Sequence, residues 1–400
     1  METNSGFDYA RGWNKINFMI LGMWPKTNLR GFRKYHALLN AITVFSLLTL
    51  PRLAALYLFW GEVDAMIQCF STHMPFAIGI VKLVILYRQQ QALGEFMEEM
   101  ECDWRSPLPK KHQEMMMPMA RMSRQISIFS GLTVYMANSF GVVVQKWYNL
   151  ESVYIQQPDS RLTLNLFWVV FWPVDTSENI NFAVALLLQL YTSFTGSLAY
   201  FVFDSLIAMM TLHLCGQLEC LQQSFGELCD HNSSHEAKKF ERDLKNIVQR
   251  HYKLIRLTNN LDDSFNFVLF LSFIGCTLTF CFQGYAIIRL LDAGKLNFFQ
   301  VAFSVTVTLG AISHFFICCW VGDFLIIQSA AVGQGFYKNQ WYKLSNCQAR
   351  SLMIIGFKNF RPLQLTAGRF APISLNLFLN VIKSSMSYLS MLLAVQNRRV

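Results

Sequence analysis

Seven stretches of the chain are each long and apolar enough to cross a lipid bilayer as a helix. A span needs roughly 20 apolar residues to cross a hydrocarbon core about 30 Å thick. The seven stretches are residues 37–60, 65–87, 125–147, 182–213, 265–291, 298–328 and 370–395. The fourth and sixth are longer than a membrane is thick, so we expect them to continue as helices into water on one side.

The composition agrees with a membrane protein. Only 15% of the 400 residues are charged and 53% are hydrophobic, whereas about a quarter of the residues in soluble domains are charged.

We predict an all-α membrane protein with seven transmembrane helices, organised in six segments. These are a cytoplasmic leader with an interfacial helix (1–36), transmembrane helices one to four (37–213), a cytoplasmic helical hairpin (214–264), helices five and six (265–328), a cytoplasmic anchor helix (329–369), and the last helix with its extracellular tail (370–400).

The basic residues predict the side of the membrane on which each segment lies. Most of the 34 lysines and arginines fall in the leader, between the second and third spans, between the fourth and fifth, and between the sixth and seventh. Cytoplasmic segments near span ends carry such an excess. We therefore predict a cytoplasmic amino terminus and an extracellular carboxyl terminus. The net charge of +9 then reflects topology rather than nucleic-acid binding.

The sequence has no motif of a catalytic, cofactor or metal site. It contains no Gly-rich phosphate loop, no H-E-x-x-H and no G-x-S-x-G. All ten cysteines fall in spans or in predicted cytoplasmic segments, where disulfides are not expected. We expect no enzymatic activity, no cofactor, no metal and no nucleic-acid partner.

Two regions predict helices below the membrane. Apolar residues recur at helical spacing over 218–228 and again over 240–248, with a polar stretch between them, which indicates a hairpin with a hinge. Residues 336–360 are amphipathic and basic and predict a further cytoplasmic helix. Pro362 ends that helix, because proline disfavours helix in the residue before it.

Ionisable side chains inside spans are costly, so each requires an explanation. Lys82 and Asp323 lie near predicted cytoplasmic ends, where we expect them to extend toward water. Arg52, Asp204 and His314 lie deeper, and we expect structural ion pairs or a capped histidine for them.

Aromatic, thioether and hydroxyl side chains in the outer halves of spans two, three and four predict a binding site for a small, mostly apolar molecule. On each span they share a face or lie within one and a half turns. The candidate ligand-binding residues are Phe70, His73, Met74, Met136, Ser139, Phe140, Val143, Leu187, Tyr191 and Phe194. Ordinary packing between helices is the competing explanation for any one of them.

The last span carries a polar stripe on one face. The stripe consists of Asn376, Asn380, Lys383, Ser387, Ser390 and Ala394, at alternating spacings of four and three residues, with Ser384 and Met391 beside it. The opposite, apolar face consists of Leu375, Phe378, Ile382, Leu389 and Leu393. Two interpretations remain open, a pore wall or a tight helix interface of small and polar residues. One helix per chain cannot enclose a pore, so the first interpretation requires several subunits around an axis.

Residues 349–393, ARSLMIIGFKNFRPLQLTAGRFAPISLNLFLNVIKSSMSYLSMLL, resemble the carboxyl-terminal signature of insect odorant receptors. The seven spans and their predicted topology match that family over the whole chain. The resemblance implies an odorant-gated, non-selective cation channel of four subunits, joined below the membrane by an anchor domain. Within the family the chain resembles a ligand-tuning receptor, which implies assembly with the co-receptor in the plasma membrane of olfactory neuron dendrites.

The resemblance also implies roles for particular residues. It places Ser384, Ser387, Met391 and Val395 along the pore, with Met391 at an apolar gate, and residues 368–372 at the junction between anchor and pore helix. It also implies an odorant pocket between spans two, three, four and six, for which we expect a small aromatic or heterocyclic volatile. A seven-transmembrane G-protein-coupled receptor is the alternative function, although the inside amino terminus and the absence of Asp-Arg-Tyr and Asn-Pro-x-x-Tyr motifs argue against it.

Overall fold

The computed structural model describes residues 5–24, 35–105, 110–148, 155, 159–228, 237–292, 298–338, 342, 344–358 and 362–397. The helices are α1 (Ser5–Ile20), α2 (His36–Val44), a π-helical turn (Phe45–Thr49), α3 (Leu50–Leu58), α4 (Val63–Arg88), α5 (Gln90–Arg105), α6 (Lys110–Tyr148), α7 (Asn179–Leu228), α8 (Ala237–Asp292), α9 (Phe298–Lys338), α10 (Asn346–Lys358) and α11 (Leu375–Asn397). Two short antiparallel hairpins accompany them, β1 (Leu162–Thr163) with β2 (Val170–Phe171), and β3 (Thr366–Ala367) with β4 (Ala371–Pro372).

Seven helical stretches among the described residues are long and apolar enough to cross a membrane. The first combines α2, the π-helical turn and α3, and the other six belong to α4, α6, α7, α8, α9 and α11. The predicted all-α fold with seven transmembrane helices is therefore confirmed. Helix α7 is buried on almost every side and forms the centre of the bundle.

Helices α7 and α8 are both longer than a membrane is thick. Helix α7 has 50 residues and α8 has 56, so at about 1.5 Å per residue α8 is roughly 84 Å long. The predicted cytoplasmic hairpin over 214–264 consists of the continuous ends of α7 and α8. Its predicted hinge, DHNSSHEA over 230–237, lies outside the described residues except for Ala237, with which α8 begins.

The predicted single helix over 336–360 is wrong. Helix α9 runs to Lys338, and α10 begins only at Asn346. Ser345 starts α10 with a capping box. Its hydroxyl accepts from the backbone N–H of Gln348 at 3.5 Å, and Gln348 Oε1 accepts from the backbone N–H of Ser345 at 3.2 Å. Residues 339–341, 343 and 359–361 lie outside the described residues, so the predicted end of the helix before Pro362 is not tested.

The leader helix α1 packs into the bundle against α6 and α7. Asn14 donates to the Ser205 carbonyl at 3.3 Å, and the Ser205 hydroxyl donates to Asn14 Oδ1. The opposite face of α1 leaves Ile16, Met19 and Ile20 exposed. A position at the membrane interface accounts for the exposed apolar face of α1. The buried hydrogen bonds between Asn14 and Ser205 fix its inner face to the bundle.

An ion pair is buried at the centre of the bundle. Lys82 of α4 donates from Nζ to Asp204 Oδ1 of α7 at 2.7 Å and to the Tyr200 carbonyl at 2.9 Å. The Lys82 side chain is fully buried, and its ammonium lies 4.2 Å from the centroid of the Tyr200 ring. The prediction that Lys82 extends toward water is therefore wrong, and the predicted ion pair of Asp204 is confirmed.

His314 was expected to be capped or ion-paired, and the structure contradicts this. Its ring lies between Phe129 and Phe201, with centroid distances of 5.6 and 4.4 Å. Among the described residues its Nε2 atom has no hydrogen-bond partner. Aromatic packing therefore holds this histidine in place.

A second charge cluster joins α5, α7 and α8 below the membrane. Asp103 accepts from Lys253 Nζ at 2.9 Å and from His213 Nε2 at 3.2 Å. Burial alone would raise the pKa of Asp103, but the hydrogen bonds from His213 and Lys253 outweigh burial and hold that pKa below its usual value. Asp103 therefore stays ionised at neutral pH and connects the cytoplasmic ends of three helices.

Breaking the buried pair tests its part in stability. Asp204→Asn leaves the Lys82 ammonium without a counter-charge, and we expect it to lower the free energy of unfolding by about 3–5 kcal/mol. Removing both charges with Lys82→Met and Asp204→Leu together should cost less than Asp204→Asn. The measurement is the melting temperature of the detergent-solubilised protein.

Asp263→Asn serves as the matched control. Asp263 pairs with Arg369 on the surface, where both side chains are exposed, and such pairs contribute about 0–1 kcal/mol. Equal losses from Asp204→Asn and Asp263→Asn, or a double variant less stable than the single one, would contradict the role given to the buried pair.

Candidate ligand-binding site and pore helix

A cavity with about 700 Å³ of empty space, measured with its open mouth, lies among α4, α6, α7, α9 and the β1–β2 hairpin. Its lining consists of Thr72, Pro75, Phe76, Thr133, Ala137, Asn138, Phe167, Trp168, Ser197, Tyr200, Phe201, Phe303, Thr306, Val307, Gly310 and Ala311. Ligand sites commonly have an apolar, aromatic lining with a few polar groups. The cavity therefore has the lining of a site for a small, mostly apolar molecule.

The β1–β2 hairpin forms the roof of the cavity on the predicted extracellular side. Its tip places Trp168 in the bundle, where the backbone amide donates to Gln189 Oε1 at 3.0 Å and the Gln189 amide donates to the Trp168 carbonyl at 3.2 Å. The indole Nε1 donates to Ser193 Oγ at 2.8 Å. These three bonds to α7 hold the roof closed.

Arg52 of α3 supports this roof from behind. Its Nη2 donates to Thr72 Oγ1 at 2.7 Å and to the Cys69 carbonyl at 3.3 Å. Its guanidinium carbon lies 5.0 Å from the centroid of the Trp168 ring, within cation–π range. Because Thr72 and Trp168 both line the cavity, the buried Arg52 fixes two parts of the wall at once.

The polar groups of the cavity are mostly engaged with the protein itself. Asn138 donates both amide hydrogens, to Ser197 Oγ at 2.8 Å and to the Val134 carbonyl at 2.8 Å. The Ser197 hydroxyl donates to the Ser193 carbonyl at 2.8 Å. An amide that has used both donors can still accept, so the Asn138 oxygen can receive a ligand donor.

The candidate ligand residues lie on α4, α6 and α7, which line the cavity, but on other faces of these helices. None of the ten lines the cavity. Met136, Ser139, Val143, Leu187 and Tyr191 are exposed, Phe70, Met74, Phe140 and Phe194 are half-buried, and His73 is buried. His73 and Phe140 come near, with rings 6.4 Å from Phe76 and 6.3 Å from Phe303.

The physical reason for this difference is the membrane itself. Lipid tails are as apolar as a protein interior, so large apolar side chains do not distinguish an inward face from a lipid-facing one. Small and polar residues carry that signal, and Thr133, Ala137, Asn138 and Ser197 all line the cavity. The apolar run LNLFWVVF over 164–171 in a predicted extracellular loop was a signal for the roof that sequence reasoning missed.

A short series of contacts connects the cavity to the last helix. Tyr200, in the cavity wall, lies with its hydroxyl 3.4 Å from Cys276 Sγ of α8. The next residue, Thr277, accepts from Ser385 Oγ of α11 at 3.2 Å. Ser385 also donates to the Val381 carbonyl at 2.8 Å. These contacts place α8 between the cavity wall and α11.

Helix α11 packs on one face only. Leu377, Val381 and Ser385 are buried against the bundle, and the apolar face predicted from the sequence is half-buried. The polar stripe is exposed along its length, as are Ser384, Met391 and Val395. The described chain therefore leaves the stripe uncovered, which both interpretations of it require.

The β3–β4 hairpin forms the junction between the cytoplasmic helices and α11. Gly368 and Arg369 both have positive φ, +60° and +63°, which glycine adopts freely and arginine rarely. Thr366 donates its amide and hydroxyl to Asp262 of α8 at 2.6 and 2.9 Å, and Arg369 pairs with Asp263 at 2.7 Å. The start of α11 is thereby fixed to α8.

The fold is that of known insect olfactory receptors. It superposes on the olfactory receptor OR5 from Machilis hrabei in complex with eugenol with a TM-score of 0.78, covering 97% of this chain and 100% of that one at 17% identity. The structure of the same receptor described without eugenol gives a TM-score of 0.76. The fold of almost the whole chain is therefore shared with that receptor.

Sequence comparison gives the same family. Odorant receptor 13a of Drosophila melanogaster is 22% identical over 96% of this chain and 94% of its own length. Odorant receptor 10 of Aedes albopictus is 25% identical, and that alignment spans 56% of this chain and only 58% of the relative. These relatives favour an odorant receptor over the alternative G-protein-coupled receptor.

The family model described as 7tm Odorant receptor matches residues 62–386, which include every helix that lines the cavity and the first half of the last helix. The seven apolar helices make the protein a multi-pass membrane protein. With most of the chain matched and the fold shared, the chain belongs to the 7tm odorant receptor family.

Proposed function

We propose that this chain is the ligand-tuning subunit of an odorant-gated, non-selective cation channel. It assembles with the odorant receptor co-receptor into a tetramer in the plasma membrane, in dendrites of olfactory neurons. The observation that supports this proposal best is the exposed polar stripe of α11, because a stripe that its own chain leaves uncovered needs neighbouring subunits. Four such helices around an axis can enclose a pore.

The ligand is a small, mostly apolar volatile that binds in the cavity below the hairpin roof. The aromatic walls suit a benzenoid or heterocyclic ring, and the Asn138 oxygen suits a hydroxyl donor on that ring. Eugenol, which the related receptor OR5 binds, is a phenol with both features. We therefore choose eugenol as the first probe for this chain.

Ligand binding opens the pore by a shift between closed and open states. A ligand shifts such an equilibrium only as far as its affinities for the two states differ. Tyr200 contributes to the cavity wall and contacts Cys276, next to the residue that binds Ser385 of α11. A ligand that favours one position of Tyr200 would thereby favour one position of the pore helix.

The gate is formed by the outer part of α11. Ser384 and Ser387 face the conduction path, and Met391 with Val395 forms an apolar ring that closes it by dewetting. Lys383 belongs to the exposed stripe, and an ammonium in the lumen would oppose cation flow. We therefore orient Lys383 toward the neighbouring subunit.

Filling the cavity tests the ligand site. Ala311→Leu adds side-chain volume to the buried lining of α9, and we expect it to raise the half-maximal eugenol concentration at least about tenfold, because overpacking displaces the ligand. Ala331→Leu is the control for the substitution itself, since it makes the same change at a half-buried position of α9 about 30 Å further along the helix. The measurement is whole-cell current from cells that also express the co-receptor, with G-protein signalling blocked.

The same recordings test the channel proposal. Loss of all current when G-protein signalling is blocked would contradict a ligand-gated channel. If eugenol gives no current, small aromatic and heterocyclic volatiles are tested next, and silence across that panel would contradict the ligand class. If Ala311→Leu and Ala331→Leu shift the half-maximal eugenol concentration equally, the cavity is not the ligand site.

Replacing Met391 tests the gate. Met391→Ser puts a hydroxyl into the apolar ring, which favours water in the closed pore, so we expect the basal current without odorant to rise several-fold. Met386→Ser is the control, because Met386 is equally exposed on α11 but lies on another face. Equal basal currents in the two variants would show that Met391 does not close the pore.

A further inference from the structure

We propose that the ligand reaches the cavity sideways from the lipid, through the seam between α6 and α9. This inference rests on the proposed function, because it gives the route to the ligand cavity. The seam is defined by Thr133 and Ala137 on α6 and by Thr306 and Gly310 on α9. All four line the cavity.

Exposure locates the mouth of the cavity. Its lining residues on α7 and on the hairpin roof are all buried, as are Thr72 and Phe76 of α4. Apart from Pro75, the lining residues with exposed surface lie on α6 and α9. They are Thr133, Ala137, Asn138, Thr306 and Val307. The cavity therefore opens between these two helices.

The seam is narrow at both ends and lined by small side chains between them. Phe129 stacks on His314 at 5.6 Å at the inner end, and Phe140 contacts Phe303 at 6.3 Å at the outer end. Between these ring pairs, a methyl group added at Gly310 would lie 3.2 Å from the Thr133 methyl carbon. That distance is shorter than an ordinary van der Waals contact, so Gly310 lets α9 approach Thr133 of α6 closely, and a larger residue there would push the two helices apart.

The surface beside the mouth is apolar. Leu132 and Met136 on α6 and Leu309 on α9 flank the seam and are exposed. The Thr133 and Thr306 hydroxyls donate to carbonyls of their own helices at 2.8 and 2.7 Å. A volatile passing through the seam therefore breaks no hydrogen bond of these hydroxyls.

The mouth also lies at membrane depth. Thr306 is eight residues into α9, which places it about 12 Å from the outer end of that helix, within a hydrocarbon core about 30 Å thick. On the outer aqueous side the roof is held by the bonds of Trp168 to Gln189 and Ser193. The seam between α6 and α9 thus opens toward lipid, whereas the roof closes the cavity toward the outer aqueous side.

A bulky residue at the rim tests the route by its kinetics. Met136 flanks the seam without lining the cavity, so Met136→Trp narrows the passage and leaves the bound ligand untouched. A narrower passage slows binding and release by the same factor, because it raises one barrier crossed in both directions. We expect both rate constants for eugenol to fall roughly tenfold with the dissociation constant unchanged.

Leu187→Trp is the matched control. Leu187 is 66% exposed and Met136 is 67% exposed. Leu187, however, lies on the side of α7 that faces α2, because Tyr191, one turn further along α7, donates to Asn40 of α2. We expect its rates to equal those of the unmodified protein. Leu309→Trp narrows the seam from the other helix and replaces Met136→Trp if that variant does not fold.

The measurement is association and dissociation of tritiated eugenol on the full-length chain co-purified with the co-receptor in nanodiscs, with the co-receptor alone as the blank. Unchanged rates in both rim variants would overturn the lateral route and leave the cavity as the site. A changed dissociation constant would also overturn it, because the rim would then belong to the site. If the unmodified complex does not bind eugenol, then eugenol is not a ligand of this receptor. That result would contradict the ligand named in the proposed function before any variant is compared.

Discussion

The ion pair between Lys82 and Asp204 fixes the arrangement on which the cavity depends. In a bilayer no hydrophobic force presses helices together, so close packing and buried polar contacts must do so. Gly79, one turn before Lys82, lets α4 approach α7 so closely that an added Cβ would lie 2.7 Å from the Gly196 carbonyl. The Lys82 ammonium then holds the Tyr200 carbonyl and ring as well as Asp204. Tyr200 is therefore positioned by the pair before any ligand binds.

The parts of the fold set by local pattern could be predicted. Apolar length alone located all seven spans, since a bilayer demands the same length wherever a helix crosses it. The spacing of Asn376, Asn380 and Lys383 correctly identified the uncovered face of α11. Both signals depend only on residues close together in sequence.

The parts of the fold set by contacts between residues far apart in sequence could not be predicted. Lys82 and Asp204 are 122 residues apart, so nothing local shows that the lysine turns inward. The faces of α6 and α7 that line the cavity do not stand out in the sequence for a related reason, because apolar side chains such as Met136 and Leu187 are as stable against lipid as against protein. The hairpin roof depends on bonds between Trp168 and α7 that close only when the loop folds back.

The route of entry sets the rates of binding and release, whereas equilibrium selectivity belongs to the cavity. A volatile dissolved in lipid has already left water, so its transfer from lipid into an apolar cavity gains little from the hydrophobic effect. Whichever route it takes, its overall affinity from water includes its partition into the bilayer, which depends on the odorant and not on the receptor. Discrimination among odorants of similar partition must come from the shape set by Phe76, Trp168 and Phe303 and from the acceptor of Asn138. Because its polar groups are few, the receptor is expected to respond to a family of similarly shaped molecules.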